Sequence, residues 1–432
     1  MFRRVFVGAL TVGLLALGVP AYSQSEPVND RVSAPSNAEP ERFPGGTAGA
    51  EKSNCAEAAA RHKAAGSTGL YGCITEVSET EARQRSAATG AAAVPLPVND
   101  CTGNENGSWW ALRLSQCQID PDVRYTLRDK DGTIVATALF AIAQQMDLSA
   151  TSLEWTETDQ LVMLEASPKL PALTATWTTK CAATCSPATT AVFSKQPVKV
   201  GQLLKKTYKV ADVPTKKYDF LDVDYTLNFD AAGATEITPP STWDAEVRCD
   251  DQLSVGNTSG CVVPWFTPTL NISRAQYGSS ADMINWAQIN LSGHWGLRSS
   301  GKPLHRLQSA SEQKKNRQAI CGTGKFTPDP AVEQDSCDEF PFAGTYESGA
   351  LNGVDHGNAC AQVTSVRKNS TGDLPFDWQN VTPIGTVTGN EKCVRGHIPG
   401  PLNSYAGGAY GNFVQTARLA DNDGFWLKVT SS

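Results

Sequence analysis

The chain has 432 residues, of which 19% are charged, with a formal net charge of −7 and a pI of about 5.4. That balance argues against broad tracking of a phosphate backbone, which needs clustered Lys and Arg. It leaves room for a local site in which a bound cation supplies the positive charge, and the length suffices for two or three cores.

At the N-terminus Arg3 and Arg4 precede an apolar run from Val5 to about Val19. Pro20 breaks the run, and Ala21-Tyr22-Ser23 places small residues at the two positions a signal peptidase reads. Residues 1–23 therefore read as a secretory signal peptide, and the product as secreted and extracellular. The run is shorter than the roughly 20 apolar residues of a membrane span. No later stretch approaches that length, so no span is expected in the mature chain.

All twelve cysteines follow the cleavage point: Cys55, Cys73, Cys101, Cys117, Cys181, Cys185, Cys249, Cys261, Cys321, Cys337, Cys360 and Cys393. An even number in an oxidising destination reads as a disulfide set, and the simplest pairing joins neighbours in order. Sequence does not decide that connectivity. No histidine stands near Cys181 and Cys185, which argues against a zinc site there.

The expected fold is multidomain, a mostly antiparallel β region followed by a mixed α/β unit. Residues 24–100 read as a flexible leader, rich in Pro, Ser, Asn and Glu to about Ala50, and a small disulfide-linked helical segment with a helix over 78–88. The run 91–97 resembles a linker. Residues 101–240 read as β-rich: Val123 to Arg128, the Asp129-Lys130-Asp131-Gly132 turn signal, Thr133 to Thr137, Leu173 to Thr178, Lys206 to Val210 and Tyr218 to Phe229. Trp109, Trp110, Trp155 and Trp177 are expected to fill its core, with a carbohydrate-binding groove, and hence a cell-wall contact, as the alternative.

Residues 241–432 read as the mixed α/β unit. It begins with a loop between Cys249 and Cys261, contains a helix between Ser273 and Leu291 that Gly278 interrupts, and ends in a strand at Gly424 to Thr430. The Gly-rich stretch Asn403 to Phe413 reads as turns.

The densest group of catalytic residue types runs from Asp335 to Glu347. Asp338 and Glu339 are adjacent, so a regular strand sends their side chains to opposite faces, whereas a turn lets both approach one site. Its carboxylates are hard oxygen donors suited to Mg²⁺, Mn²⁺ or Ca²⁺, and the bland alternative is an acidic surface loop. His294, in a Gly-flanked segment, is one candidate base; His305, His356 and His397 are others, and any of them also suits a surface role. Arg306, Lys314, Lys315 and Arg317 are placed to meet phosphates or to form a solvated helix face. No H-E-x-x-H, G-x-S-x-G or Walker motif is present.

The stretch Cys337-Asp338-Glu339-Phe340-Pro341-Phe342-Ala343-Gly344-Thr345-Tyr346-Glu347 resembles the signature of the NucA/NucB family of secreted bacterial deoxyribonucleases. Asn316-Arg317 with Cys321, Asn403 to Gly408 and Asp423 to Trp426 carry the same likeness over about 290–432. Arg248-Cys249-Asp250 resembles the upstream region of larger actinobacterial members. The resemblance implies a nuclease-like α/β domain that is a metal-dependent endonuclease. It would use Mg²⁺ or Mn²⁺ and act on extracellular DNA.

In that carry-over Asp338 is the essential aspartate, Glu339 its adjoining acid and Glu347 a recurrent downstream glutamate. Asp338 and Glu347 become the metal-ligand pair and Asn403 the asparagine of the later motif. Three departures stand out: Leu402 occupies the position of a glutamate that matters in small family members, Ser404 that of an arginine, and Ser336-Cys337 that of the first Asp-Arg of the acidic motif. A noncatalytic secreted or cell-surface binding protein on a degenerate nuclease scaffold is therefore the second expectation.

Overall fold

The structure, a computed structural model, describes residues 40–42, 54–77, 107–182, 184–214, 217–234, 238–251, 258–365 and 381–431. The expected signal peptide, the helix over 78–88, the linker at 91–97, Cys101 and nearly all of the leader lie outside the described residues.

Thirteen strands come first. They are β1 (Glu41–Arg42), β2 (Tyr71–Glu76), β3 (Trp109–Leu112), β4 (Ser115–Arg128), β5 (Ile134–Asp147), β6 (Glu154–Ala166) and β7 (Leu173–Lys180). Then follow β8 (Cys185–Ser186), β9 (Thr189–Pro197), β10 (Leu203–Asp212), β11 (Asp219–Ala231), β12 (Ser241–Asp250) and β13 (Gly260–Val262). An eight-stranded sheet runs β1-β3-β4-β5-β6-β10-β8 with β2 beside β4, and a five-stranded sheet runs β13-β12-β11-β7-β9. Every strand pair in both is antiparallel.

The period-two pattern explains the packing. Along β11, Leu221, Val223, Tyr225, Leu227 and Phe229 are buried while Phe220, Asp222 and Asp224 face outward. The two sheets close over one core, in which Phe140 of β5 stacks on Phe229 with ring centroids 4.2 Å apart. Trp109, Trp155 and Trp177 are at most 3% exposed, so they fill the core and line no carbohydrate groove. Trp110 packs in a separate cluster with Cys117, Ile119 and Ala143.

Three expected boundaries shift. Helix α1 (Cys55–Ala64) is bridged by Cys55–Cys73 to β2, which joins the large sheet instead of forming a separate helical segment. Two residues of the expected leader, β1, pair with β3. β12 and β13, expected to open the second unit at 241, belong to the five-stranded sheet because Trp243, Ala245 and Val247 alternate into the sandwich core.

Among the described residues five disulfides join neighbours in order: Cys55–Cys73, Cys181–Cys185, Cys249–Cys261, Cys321–Cys337 and Cys360–Cys393. Cys117 is also disulfide-bonded. This set suits an oxidising compartment.

The sandwich core contains an acidic pair. The Tyr208 hydroxyl lies 2.8 Å from both Glu157 Oε2 and Asp159 Oδ2 and 2.7 Å from Thr179 Oγ1. It has one proton to donate, so one of the two carboxyls carries a proton of its own. Burial raises both pKa values, and repulsion from Glu157 helps push Asp159 up to about 8. The fold thus holds protons that the unfolded chain releases near about pH 4. Stability is full below that value and declines as pH rises toward about 8, by about 1.4 kcal/mol per pH unit for each proton. Asp159→Asn imitates the neutral form and is expected to flatten the decline in thermal midpoint between about pH 5 and 8. An unchanged slope rejects the assignment.

Downstream lie β14 (Thr269–Ser273), α2 (Arg274–Asn290), β15 (Leu304–His305), α3 (Ala310–Cys321), β16 (Asp335–Phe340), β17 (Ala361–Thr364), β18 (Thr382–Ile384), β19 (Val394–Pro399), α4 (Gly400–Thr416) and β20 (Gly424–Thr430). β20 lies between β14, to which it is parallel, and β15, while a second sheet runs β16-β19-β17-β18. The segment expected as turns at 403–413 is helical. Leu402, Ala406, Phe413 and Val414 recur on one face and pack into this unit's core, outweighing the low helix propensity of its glycines. No helix among the described residues is long and apolar enough to cross a membrane.

Buried arginines tie the two regions together. Arg418 Nε and Nη2 reach the Asp250 carboxylate at 3.0 and 2.8 Å, and Asp423 receives Arg113 at 2.6 Å and Arg248 at 2.7 Å. These pairs join β12, the β3–β4 turn and the connection from α4 to β20.

Candidate functional site

Asp338 and Glu339 lie on β16, which among the described residues is an edge strand paired with β19. The strand is regular, so the two side chains leave on opposite faces, Asp338 toward α2 and Glu339 toward α3. Both still line the same cavity, of about 710 Å³. Arg317, Gln313, Asn403 and Tyr410 share its walls.

The approach of α2 depends on two glycines. Gly278 (φ 45°, ψ −123°) breaks the helix in a conformation that residues with a Cβ rarely adopt, and the helix restarts at Ser279. Gly396, cross-strand from Asp338, admits Met283, whose Sδ lies 2.5 Å from where a Cβ would sit. Ser280 Oγ consequently donates to Asp338 Oδ2 at 3.0 Å. On the other face, Arg317 Nε of α3 stands 3.5 Å from Glu339 Oε1. The Cys321–Cys337 bridge ties the last residue of α3 to the residue before Asp338.

Burial pushes the Asp338 carboxyl up to about 7, against the Ser280 hydrogen bond. Glu339 is pushed up to about 8, by burial first and by Asp338 second, with Arg317 opposing. Arg317 offsets only part of the burial of these two neighbouring acids, and a cation would favour their ionised forms. Asn403, in the first turn of α4, donates Nδ2 to Ser336 Oγ at 3.1 Å and to the Cys337 carbonyl at 2.9 Å. Its Oδ1 accepts no hydrogen bond from the described residues, and Asn403 lines the same cavity as the acids. Carboxylate and amide oxygens are donor types that suit Mg²⁺, which keeps several waters and seldom takes an all-protein cage. Among the described residues no group of three or more His, Cys, Asp or Glu forms such a cage.

The structure therefore brings Asp338, Glu339 and Asn403 together. It does not bring Glu347 or His294 to the walls of this cavity. Glu347 grips His305 instead, with Oε1 2.6 Å from Nδ1 and Oε2 accepting the His305 backbone N–H at 3.0 Å; this pairing raises the His305 pKa. His294 (φ 43°) follows the end of α2, where its Nδ1 lies 2.7 Å from the Gln288 carbonyl. Leu402 is 7% exposed in the apolar core, so that position offers nothing to the cavity. Ser280, Gln313 and Tyr410 were not singled out from sequence. Only the broken helix at Gly278 signalled Ser280; nothing local marked the other two. No protein-family model, curated protein or solved structure matches the chain.

Proposed function

We propose that the cavity at the edge of β16 belongs to a secreted, metal-dependent endonuclease that hydrolyses DNA phosphodiester bonds. The observation that supports this best is the convergence of two buried acids, a neighbouring arginine and an unengaged amide oxygen on one cavity. The likeness of the surrounding sequence to NucA/NucB deoxyribonucleases supplies the substrate class.

Asp338, Glu339 and the Asn403 amide oxygen would hold a divalent cation, Mg²⁺ or Mn²⁺, which when bound polarises a phosphate and neutralises developing charge. The chain's own groups do the positioning. Ser280 fixes the Asp338 carboxylate, the Cys321–Cys337 bridge restrains the strand that carries it, and Arg317 offers a fork of donors to a phosphate oxygen. Both acids must be ionised to act. Burial raises both pKa values, so protonation competes with the cation for these carboxylates and activity falls as pH drops.

The purified mature protein is expected to nick plasmid DNA in Mg²⁺ or Mn²⁺, to lose that activity in EDTA, and to be slower at pH 6 than at pH 8. Absence of metal-stimulated cleavage at every pH rejects the reading. The second reading, a binding protein on a degenerate scaffold, is favoured by the burial of Leu402 where family members place a glutamate. DNA binding without cleavage would select it.

A further inference from the structure

The β-sandwich reaches the rim of the cavity. Gln308, one of the cavity's lining residues, accepts hydrogen bonds at Oε1 from Lys217 Nζ at 2.9 Å and from the Tyr218 hydroxyl at 3.1 Å. Both donors lie just before β11. The Tyr218 ring is held between cations, with Lys217 Nζ 5.0 Å and the Arg248 guanidinium 5.7 Å from its centroid. Arg248 is also the cross-strand partner of Phe220 on β12. Phe220 is 68% exposed, so its ring stands in solvent two residues along the chain from Tyr218 and opposite the buried Arg248.

A single exposed phenylalanine is ordinary on a protein surface. This one differs in its company, since a lysine and a clamped tyrosine link it to the wall of the proposed phosphodiester site. Aromatic rings beside basic side chains bind single-stranded nucleic acid by stacking bases, while the cations meet phosphates.

We propose that Phe220 stacks one base of the DNA strand flanking the scissile phosphate, with Lys217 meeting an adjacent phosphate. This inference rests on the nuclease reading of the cavity and adds a substrate-binding role for the sandwich. The ledge is short. Beyond Phe220 the same face of β11 carries Asp222 and Asp224, paired across to Glu246 and Asp244, and these carboxylates repel a phosphate backbone. The strand is therefore engaged over one base and then leaves the surface.

The test is binding of a fluorescent single-stranded oligonucleotide, followed by anisotropy in EDTA so that no turnover occurs, alongside plasmid cleavage in Mg²⁺. Phe220→Ala is expected to weaken binding by about 5- to 150-fold, the range for loss of one stacked base. Phe220→Trp should restore it, and an oligonucleotide of abasic sites should bind wild type and Phe220→Ala alike. Phe220 lies outside the core, so the folded fraction should be unchanged by circular dichroism. Equal binding of the base-bearing probe by wild type and Phe220→Ala overturns the ledge while leaving plasmid cleavage, and with it the nuclease reading, intact. A wild-type chain that binds no oligonucleotide overturns the ledge, and one that also leaves plasmid uncut overturns both.

Discussion

Replacing Arg418 with methionine is expected to lower stability by about 3–5 kcal/mol, the range for breaking a buried ion pair by removing one partner. Arg418 and Asp250 side chains are both fully shielded from solvent. The guanidinium also serves the Ala150, Asp250 and Thr258 carbonyls at 2.7, 2.6 and 2.6 Å. Methionine removes the guanidinium from the buried Asp250 carboxylate and leaves three carbonyls short of a donor, and each such loss carries a desolvation cost. Adding Asp250→Leu should recover the part due to the charge that has lost Arg418 but not the part due to the carbonyls. Urea unfolding of the two variants measures both quantities. A loss below about 1 kcal/mol for Arg418→Met would show that the pair contributes no more than a surface salt bridge. The consequence extends to the site, because Arg418 anchors the end of α4 and Asn403 sits in that helix's first turn.

Asp338→Asn is expected to reduce metal-stimulated DNA cleavage by on the order of 10³-fold or more, since it removes a charge from the centre of a preorganised site. The same change should leave stability unchanged or raise it. The amide has nearly the shape of the carboxyl, its oxygen can accept the Ser280 hydrogen bond, and the variant no longer buries an acid whose pKa stands at about 7. Loss of activity without loss of stability marks a residue kept for function. Plasmid nicking and thermal unfolding on the same preparation decide it: near-normal cleavage rejects Asp338 as the essential acid, and a large fall in stability would make it a structural residue.

Local pattern carried a good deal of this molecule. The alternation in β11 and β7, the turn at Asp129 to Gly132 and the terminal strand β20 were all legible, because a strand with one buried face imposes a period of two whatever it packs against. The neighbour-in-order disulfides of the described residues follow from chain connectivity, since hairpins and short loops bring sequential cysteines together. The helix at Gly400–Thr416 was not legible through its glycines, although the spacing of Leu402, Ala406, Phe413 and Val414 was present in the text.

The sequence by itself determined that Asp338 and Glu339 are adjacent, flanked by a cysteine, and confined to opposite faces if their strand is regular. Whether opposite faces can serve one cavity was decided by the tertiary structure, which leaves β16 at a sheet edge and packs α2 and α3 on either side. The same holds for the reach of the sandwich. Arg113, the Arg248–Asp250 end of β12 and the Arg418–Asp423 connection are widely separated in the chain, and no local period relates one segment to another. Their pairing depends on burial away from water, where an unpaired charge is costly enough to dictate which surfaces meet.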